Sequence, residues 1–310
     1  MSALRVANAP VSYGVFEQTI ESPGLPDPDA LLASMAAAGY EGTELGPAGY
    51  LGIGDALGER LERHGLTLVG GWTQLRLSEP EHWLDDLPTL AATLDLFAEA
   101  GALDARPVLA DAGSPARMAH PGRAAADRSL GLDDAGWRAF AEGLAGAAEL
   151  VRRRGFEPVF HHHAGTFVEA PWEIERLVEL SDIELVLDTG HLLLGGGDPV
   201  QVLRDWGTRI GLVHVKDVRT SVLDGAIANG GMSEVWRRGA FCELGTGDVR
   251  LEEFFADLER GGYDGWLVVE RDRVGRPGEP LAEAAEAQAR NRRWLTDHTY
   301  LLTHEKEEIR

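Results

Sequence analysis

Eight short apolar runs, each followed by a longer amphipathic run, constrain this chain more than any other feature. The short runs span 5–9, 42–45, 67–72, 106–110, 158–162, 184–188, 210–215 and 265–270. Bounded by Gly, Asp or Pro, they predict buried parallel strands. The longer runs predict helices over 27–39, 55–64, 88–100, 133–154, 171–180, 199–206, 251–260 and 280–302. Several open on Asp or Pro and close on Gly (Gly39, Gly65, Gly101, Gly155), the residues favoured at the two helix ends. Strand then helix, eight times over, predicts an α/β fold: one closed (β/α)8 TIM barrel. A barrel needs about 250 residues before insertions, so a chain of 310 is one decorated barrel. An open doubly wound sheet would carry a glycine-rich phosphate loop after its first strand, and Ala9-Pro10-Val11-Ser12-Tyr13-Gly14 is not one. The barrel is expected over 1–303, with 304–310 a charged tail that frays.

Two connections are too long to be plain turns, and both follow strands at the face where barrel active sites are built. They span 111–131 after the fourth strand and 218–249 after the seventh. With 44% hydrophobic and 26% charged residues, the chain has the composition of a globular protein with a real core. Its net charge of -22 repels phosphate backbones and anionic membranes, which argues against a nucleic-acid or membrane partner. The same charge also serves plain solubility. The single cysteine, Cys242, excludes an intrachain disulfide and a cysteine-based zinc site. The first residues lack a basic segment followed by an apolar run, and no stretch of about 18 apolar residues occurs. A cytoplasmic location is therefore expected. Eight Trp residues leave room for an aromatic interface in a homo-oligomer.

Three strands end on metal-capable side chains: Asp188, His214 and Glu270. On separate parallel strands these would converge on one mouth. Carboxylate oxygens with an imidazole suit Mn²⁺, Co²⁺, Mg²⁺ or Zn²⁺. Any one alone can be a hydrogen-bonded polar residue at a strand terminus; three in one phase point to a site. The fifth strand supplies His161-His162-His163. Alternation puts His161 and His163 on one face and His162 on the other, so at most two serve one site. Lys216, two residues beyond His214, is a candidate acid for a departing oxygen, or a salt-bridge partner of a nearby carboxylate. Glu44 and Trp72, ending the second and third strands, are candidates for binding sugar hydroxyls and stacking on a ring.

The segments Asp188-Thr189-Gly190-His191, His214-Val215-Lys216-Asp217 and Val268-Val269-Glu270 resemble the xylose-isomerase-like sugar isomerase/epimerase superfamily. Three of its four usual metal ligands match, at Asp188, His214 and Glu270. The fourth departs, since His161 stands where a Glu is usual. Within the superfamily the chain looks most like inosose dehydratase, through Gly42-Thr43-Glu44-Leu45-Gly46-Pro47, His161-His162-His163-Ala164-Gly165-Thr166 and His214-Val215-Lys216-Asp217-Val218-Arg219. The resemblance implies loss of water from a keto-inositol or related cyclic polyhydroxy ketone, with Mn²⁺ or Co²⁺ as cofactor. It implies metal ligands Asp188, His214, Glu270 and His161. Proton transfer would fall to Glu270, Lys216, His161 and His163, and substrate contacts to Glu44, Trp72, His191 and Arg219. The alternatives are a keto-sugar isomerase or epimerase, a metal-dependent endonuclease disfavoured by the negative charge, and a non-catalytic sugar sensor.

Overall fold

The computed structural model describes residues 4–276 and 278–299. Its strands are β1 (Arg5–Asn8), β2 (Gly42–Glu44), β3 (Thr67–Leu75), β4 (Arg106–Asp111), β5 (Val159–His161), β6 (Glu184–Asp188), β7 (Ile210–Val215), β8 (Asp217–Val218), β9 (Phe241–Cys242) and β10 (Trp266–Val269). Eight of them close a parallel barrel, each paired with its chain neighbour, and β10 closes the ring against β1. The remaining two, β8 and β9, form a small antiparallel pair outside it. The expected fold is therefore found. The last helix ends at His298, short of the expected 302; the tail 304–310 lies outside the described residues.

The interior of the barrel explains where the site forms. Ala7, Val69, Val108, Val159, Val186, Leu212 and Val268 fill the axis as one buried cluster. Side chains alternate along a strand, so the residue two positions on faces the axis again, one layer nearer the mouth. Stepping on from Val159, Val186, Leu212 and Val268 gives His161, Asp188, His214 and Glu270. The intervening residues, such as Phe160, Leu187 and Val213, pack outward against the helices.

Most helices fall within two residues of their expected bounds. The third differs. It runs His82–Glu99, starting well before the expected residue 88, with Pro88 in its interior. Trp83 holds the extra turns by lying flat against the helix Asp134–Arg153, where a Cβ on Gly146 would come within 2.3 Å of its ring. That packing outweighs the hydrogen bond lost at Pro88.

Both long connections are ordered. The first contains the helix Pro115–Ala119, and the second contains Leu223–Ile227 and Met232–Arg237. Buried Arg117 fastens the first to the loop after β5, donating to the Thr166 carbonyl (2.6 Å) and to Glu173 (2.8 Å). None of these short helices shows in the residue pattern, because each is held by contacts with another loop.

Candidate active site and metal centre

Strand register brings the candidate ligands together. Asp188 and His214 are direct partners across β6 and β7, and Val268 of β10 pairs with His214. The Glu270 amide donates to the Val215 carbonyl at 3.1 Å, which puts Glu270 level with Lys216. His161 Nε2 lies 3.4 Å from Asp188 Oδ2. His214 Nδ1 lies 3.7 Å from the same oxygen and 3.1 Å from Glu270 Oε2. Ligand bonds of about 2.0–2.2 Å put neighbouring donors on one ion roughly 3–3.5 Å apart, so the spacing fits a small divalent cation.

The hydrogen bonds say which atoms are free to ligate. Asp188 Oδ1 accepts from the His191 amide at 2.8 Å, capping the short helix Thr189–Leu194. Asp188 Oδ2 and His214 Nδ1 are buried and make no well-formed hydrogen bond; their contacts are ion pairs, with Lys216 Nζ and Glu270 Oε2, each at 3.1 Å. Two buried ligand-capable atoms that face one point without good hydrogen bonds leave a position suited to an ion. The other nitrogen of His214, Nε2, lies 3.0 Å from Glu44 Oε1. A carboxylate there holds the proton on Nε2 and leaves the Nδ1 lone pair for a metal. These residues fit a divalent metal. His161, Asp188 and His214 form one group with convergent ligand atoms, and Glu44, His214 and Glu270 another.

Lys216 sits beside this cluster, with Nζ 3.1 Å from Asp188, 2.8 Å from Glu270 and 2.8 Å from Asp272. Burial alone would strip its proton, but the three carboxylates outweigh burial and hold its pKa well above the usual lysine range. In the same way burial pushes His214 down, while Glu270 and Glu44 raise it further, to about 10. Glu270 shows the converse: burial raises it, and His214 with Lys216 draws it well below the carboxylate range.

Burial favours the neutral form of the four other histidines of this cluster. Burial lowers His161, brings His162 down to about 3, and holds His163 and His191 well below 6.5. Their tautomers follow from their partners. His163 Nδ1 lies 2.8 Å from the Ala164 carbonyl, so it carries the proton and Nε2 keeps a lone pair. His191 Nδ1 accepts from the Ala164 amide at 3.3 Å, so its Nε2 donates to Asp272 at 2.9 Å. His162, on the opposite face as expected, accepts from the Asp188 amide at 3.3 Å and braces that residue from behind.

Above the cluster opens a cavity of about 210 Å³. Of the residues singled out in the sequence, Glu44, Trp72, His161, His163, His214, Lys216 and Glu270 line it. Asp188 is buried beneath them. His191, expected at the substrate, is fully buried and lies against His163 with ring centroids 3.7 Å apart. It acts on the cavity only through that ring and Asp272. Arg219, also expected at the substrate, is not on the lining. Its side chain lies on the surface and bonds Thr246, because its backbone enters the β8–β9 hairpin. Trp72 makes edge-to-face contacts with both His161 and His163, with centroids 5.3 Å apart in each case. Sequence reasoning missed Asp272, which lines the cavity and anchors both Lys216 and His191. The signal was the two-residue step itself: Asp272 follows Glu270 as Lys216 follows His214.

Comparison with known proteins agrees with this fold. A family model described as xylose isomerase-like TIM barrel matches residues 32–298. Inosose dehydratase of Geobacillus kaustophilus (strain HTA426) is 31% identical over 296 residues, covering 93% of this chain and 94% of that protein. The rhizopine catabolism protein MocC of Rhizobium meliloti is 36% identical over 259 residues, covering 82% and 77%. Among solved structures, IOLI protein with a bound zinc atom superposes with a TM-score of 0.70 at 14% identity, over 97% of this chain and 99% of that one. The closed barrel and these matches agree, and the chain belongs to the xylose isomerase-like TIM-barrel family.

Proposed function

We propose that this enzyme dehydrates a keto-inositol, or a related cyclic polyhydroxy ketone, with a divalent metal held by Asp188, His214, Glu270 and His161. The observation that carries the reading is a pairing beside the ligand cluster. A protonated amine, Lys216, and an unprotonated imidazole nitrogen, His163 Nε2, both line one cavity. Elimination needs one acid and one base, and relatives named inosose dehydratase cover nearly the whole chain.

A bound divalent metal supplies Lewis acidity to the substrate's carbonyl oxygen. Two carboxylates with two imidazoles suit Mn²⁺ or Co²⁺. Glu270 and His161 would hold the metal, and His163 Nε2, whose lone pair is free, takes the proton from the carbon next to the carbonyl. Electrons of that C–H bond form the new double bond as the hydroxyl on the following carbon leaves. Lys216 Nζ gives that hydroxyl a proton, so water departs. The product is a conjugated enol that tautomerises to a dione. Asp272 positions Lys216 and, through His191, the ring of His163. Glu44 holds His214 in the ligating tautomer. The single buried thiol, Cys242, fits a cytoplasmic enzyme and takes no part.

The test is to incubate metal-loaded protein with 2-keto-myo-inositol and follow the dione by absorbance. Lys216→Met and His163→Gln should each lower kcat by roughly 10²–10⁴-fold with metal content unchanged. Solvent hydrogen entering a recovered ketose in D₂O, with no loss of water, would establish an isomerase instead.

A further inference from the structure

The cavity is polar on its floor and carries an apolar patch on its roof, beside Glu17 and Gln18. The roof comes from three separate loops: Val11, Val15 and Phe16 after β1, Met118 after β4, and Trp236 in the excursion between β8 and β9. Phe16 and Trp236 meet across the opening with ring centroids 5.8 Å apart at 61°.

This roof is built to stay in place. The helix Met232–Arg237 that carries Trp236 is pinned by Met232 and Val235, both fully buried. Just before it, Gly231 adopts a φ of 69° and runs so close to the Pro115–Ala119 helix that a Cβ would come within 2.2 Å of the Met118 carbonyl. Only glycine fits there. On the other side Thr19 ties the loop carrying Phe16, accepting from the Phe16 amide (2.9 Å) and donating to the Gly14 carbonyl (2.8 Å). The aromatic surface is therefore formed before any ligand arrives.

We infer that Trp236 and Phe16 form a specificity wall that selects a six-membered ring polyol over its open-chain counterpart; this rests on the keto-polyol reading above. A six-membered ring with its hydroxyls around the edge presents a face of axial C–H bonds. That face matches the aromatic roof while the edge hydroxyls and carbonyl reach the charged floor. An open-chain polyol of the same size has hydroxyls on every side and must bury some against Trp236 without partners, which is costly. Trp72 cannot serve this purpose alone, since it already braces the two histidines.

The experiment compares binding of two unreactive probes, myo-inositol and sorbitol, by calorimetry on metal-loaded wild type, Trp236→Ala and Trp236→Leu. Turnover of 2-keto-myo-inositol is measured alongside. Wild type should prefer myo-inositol. Either substitution should weaken myo-inositol binding and raise KM by roughly ten- to hundred-fold. Sorbitol affinity, kcat and metal content should stay within about threefold, which a general loosening of the fold would not allow. The leucine variant keeps an apolar side chain of fair size if alanine disturbs folding. Equal loss for both probes, no loss for either, or failure of wild type to bind myo-inositol overturns the wall. If wild type never dehydrates the inosose yet loses ring preference at position 236, the proposed reaction fails and the wall stands.

Discussion

His214 shows how much of this site hangs on single atoms. One ring nitrogen faces Asp188 and Glu270 while the other is held by Glu44, so the tautomer and the ligating atom are set by one neighbour. Asp111, at the end of β4, is the opposite case: a carboxylate whose job is to join loops. Its Oδ2 accepts from the amides of Gly113 (2.7 Å) and Phe167 (3.4 Å), while Oδ1 is buried without a partner. Burial outweighs those donors and pushes its pKa up to about 6. An unfolded Asp titrates near 3.9. The folded protein thus holds this proton more tightly. The group's contribution to stability is full below about pH 4 and is lost as pH rises through about 6. Urea unfolding of wild type and Asp111→Asn should therefore give a gap that favours wild type more at pH 4.5 than at pH 7.5. A gap that does not change with pH would show Asp111 ionised throughout. The residues legible from the chain alone were those ending an apolar run: Asp188, His214, Glu270 and His161. Asp272 and the bracing role of Glu44 were not, because they depend on which atom each side chain meets across the barrel.

At the scale of elements, the barrel strands were legible because a strand buried on both faces is written as an unbroken apolar run. The excursion between β8 and β9 was legible only as a long loop. Its helices are five and six residues long, too short to be stable or periodic on their own. What closes the excursion is Asp217, the first residue of β8. It is buried, and its carboxylate accepts from the amides of Gly247 (2.8 Å) and Val249 (3.1 Å) as well as from Val218 (2.9 Å). Asp217→Ala leaves those buried donors without partners and should cost about 2–4 kcal/mol, measured by urea unfolding. Because the excursion carries Trp236, KM for the inosose should rise more than kcat falls. A variant that loses stability while keeping KM would separate the hairpin from the cavity roof.

Across the whole molecule, the negative charge and the strand-end cluster act in one direction. A net charge of -22 draws divalent cations toward the protein, and the barrel mouth offers them Asp188 Oδ2 and His214 Nδ1, neither of which makes a well-formed hydrogen bond. Without metal, the repulsion among Asp188, Glu270 and Asp272 is held in check by Lys216 and by a His214 kept protonated up to about pH 10. A metal needs the neutral imidazole, so binding near pH 7 must displace a proton. Affinity should then fall about tenfold for each pH unit below neutrality. Calorimetric titration of Mn²⁺ into stripped protein, repeated in two buffers of different ionisation enthalpy, should show about one proton released per metal. Chelation should lower the melting temperature. Metal at 100 times its dissociation constant adds about 2.7 kcal/mol, which for a chain of this size is roughly 4 °C. Glu44→Gln weakens the hold on the His214 tautomer and should reduce metal affinity about 10–100-fold, with proton release falling as one of the two carboxylates raising His214 is removed. An unchanged melting temperature on chelation, with no proton released on adding Mn²⁺, would show that Lys216 and not a metal is the resident cation of this cluster.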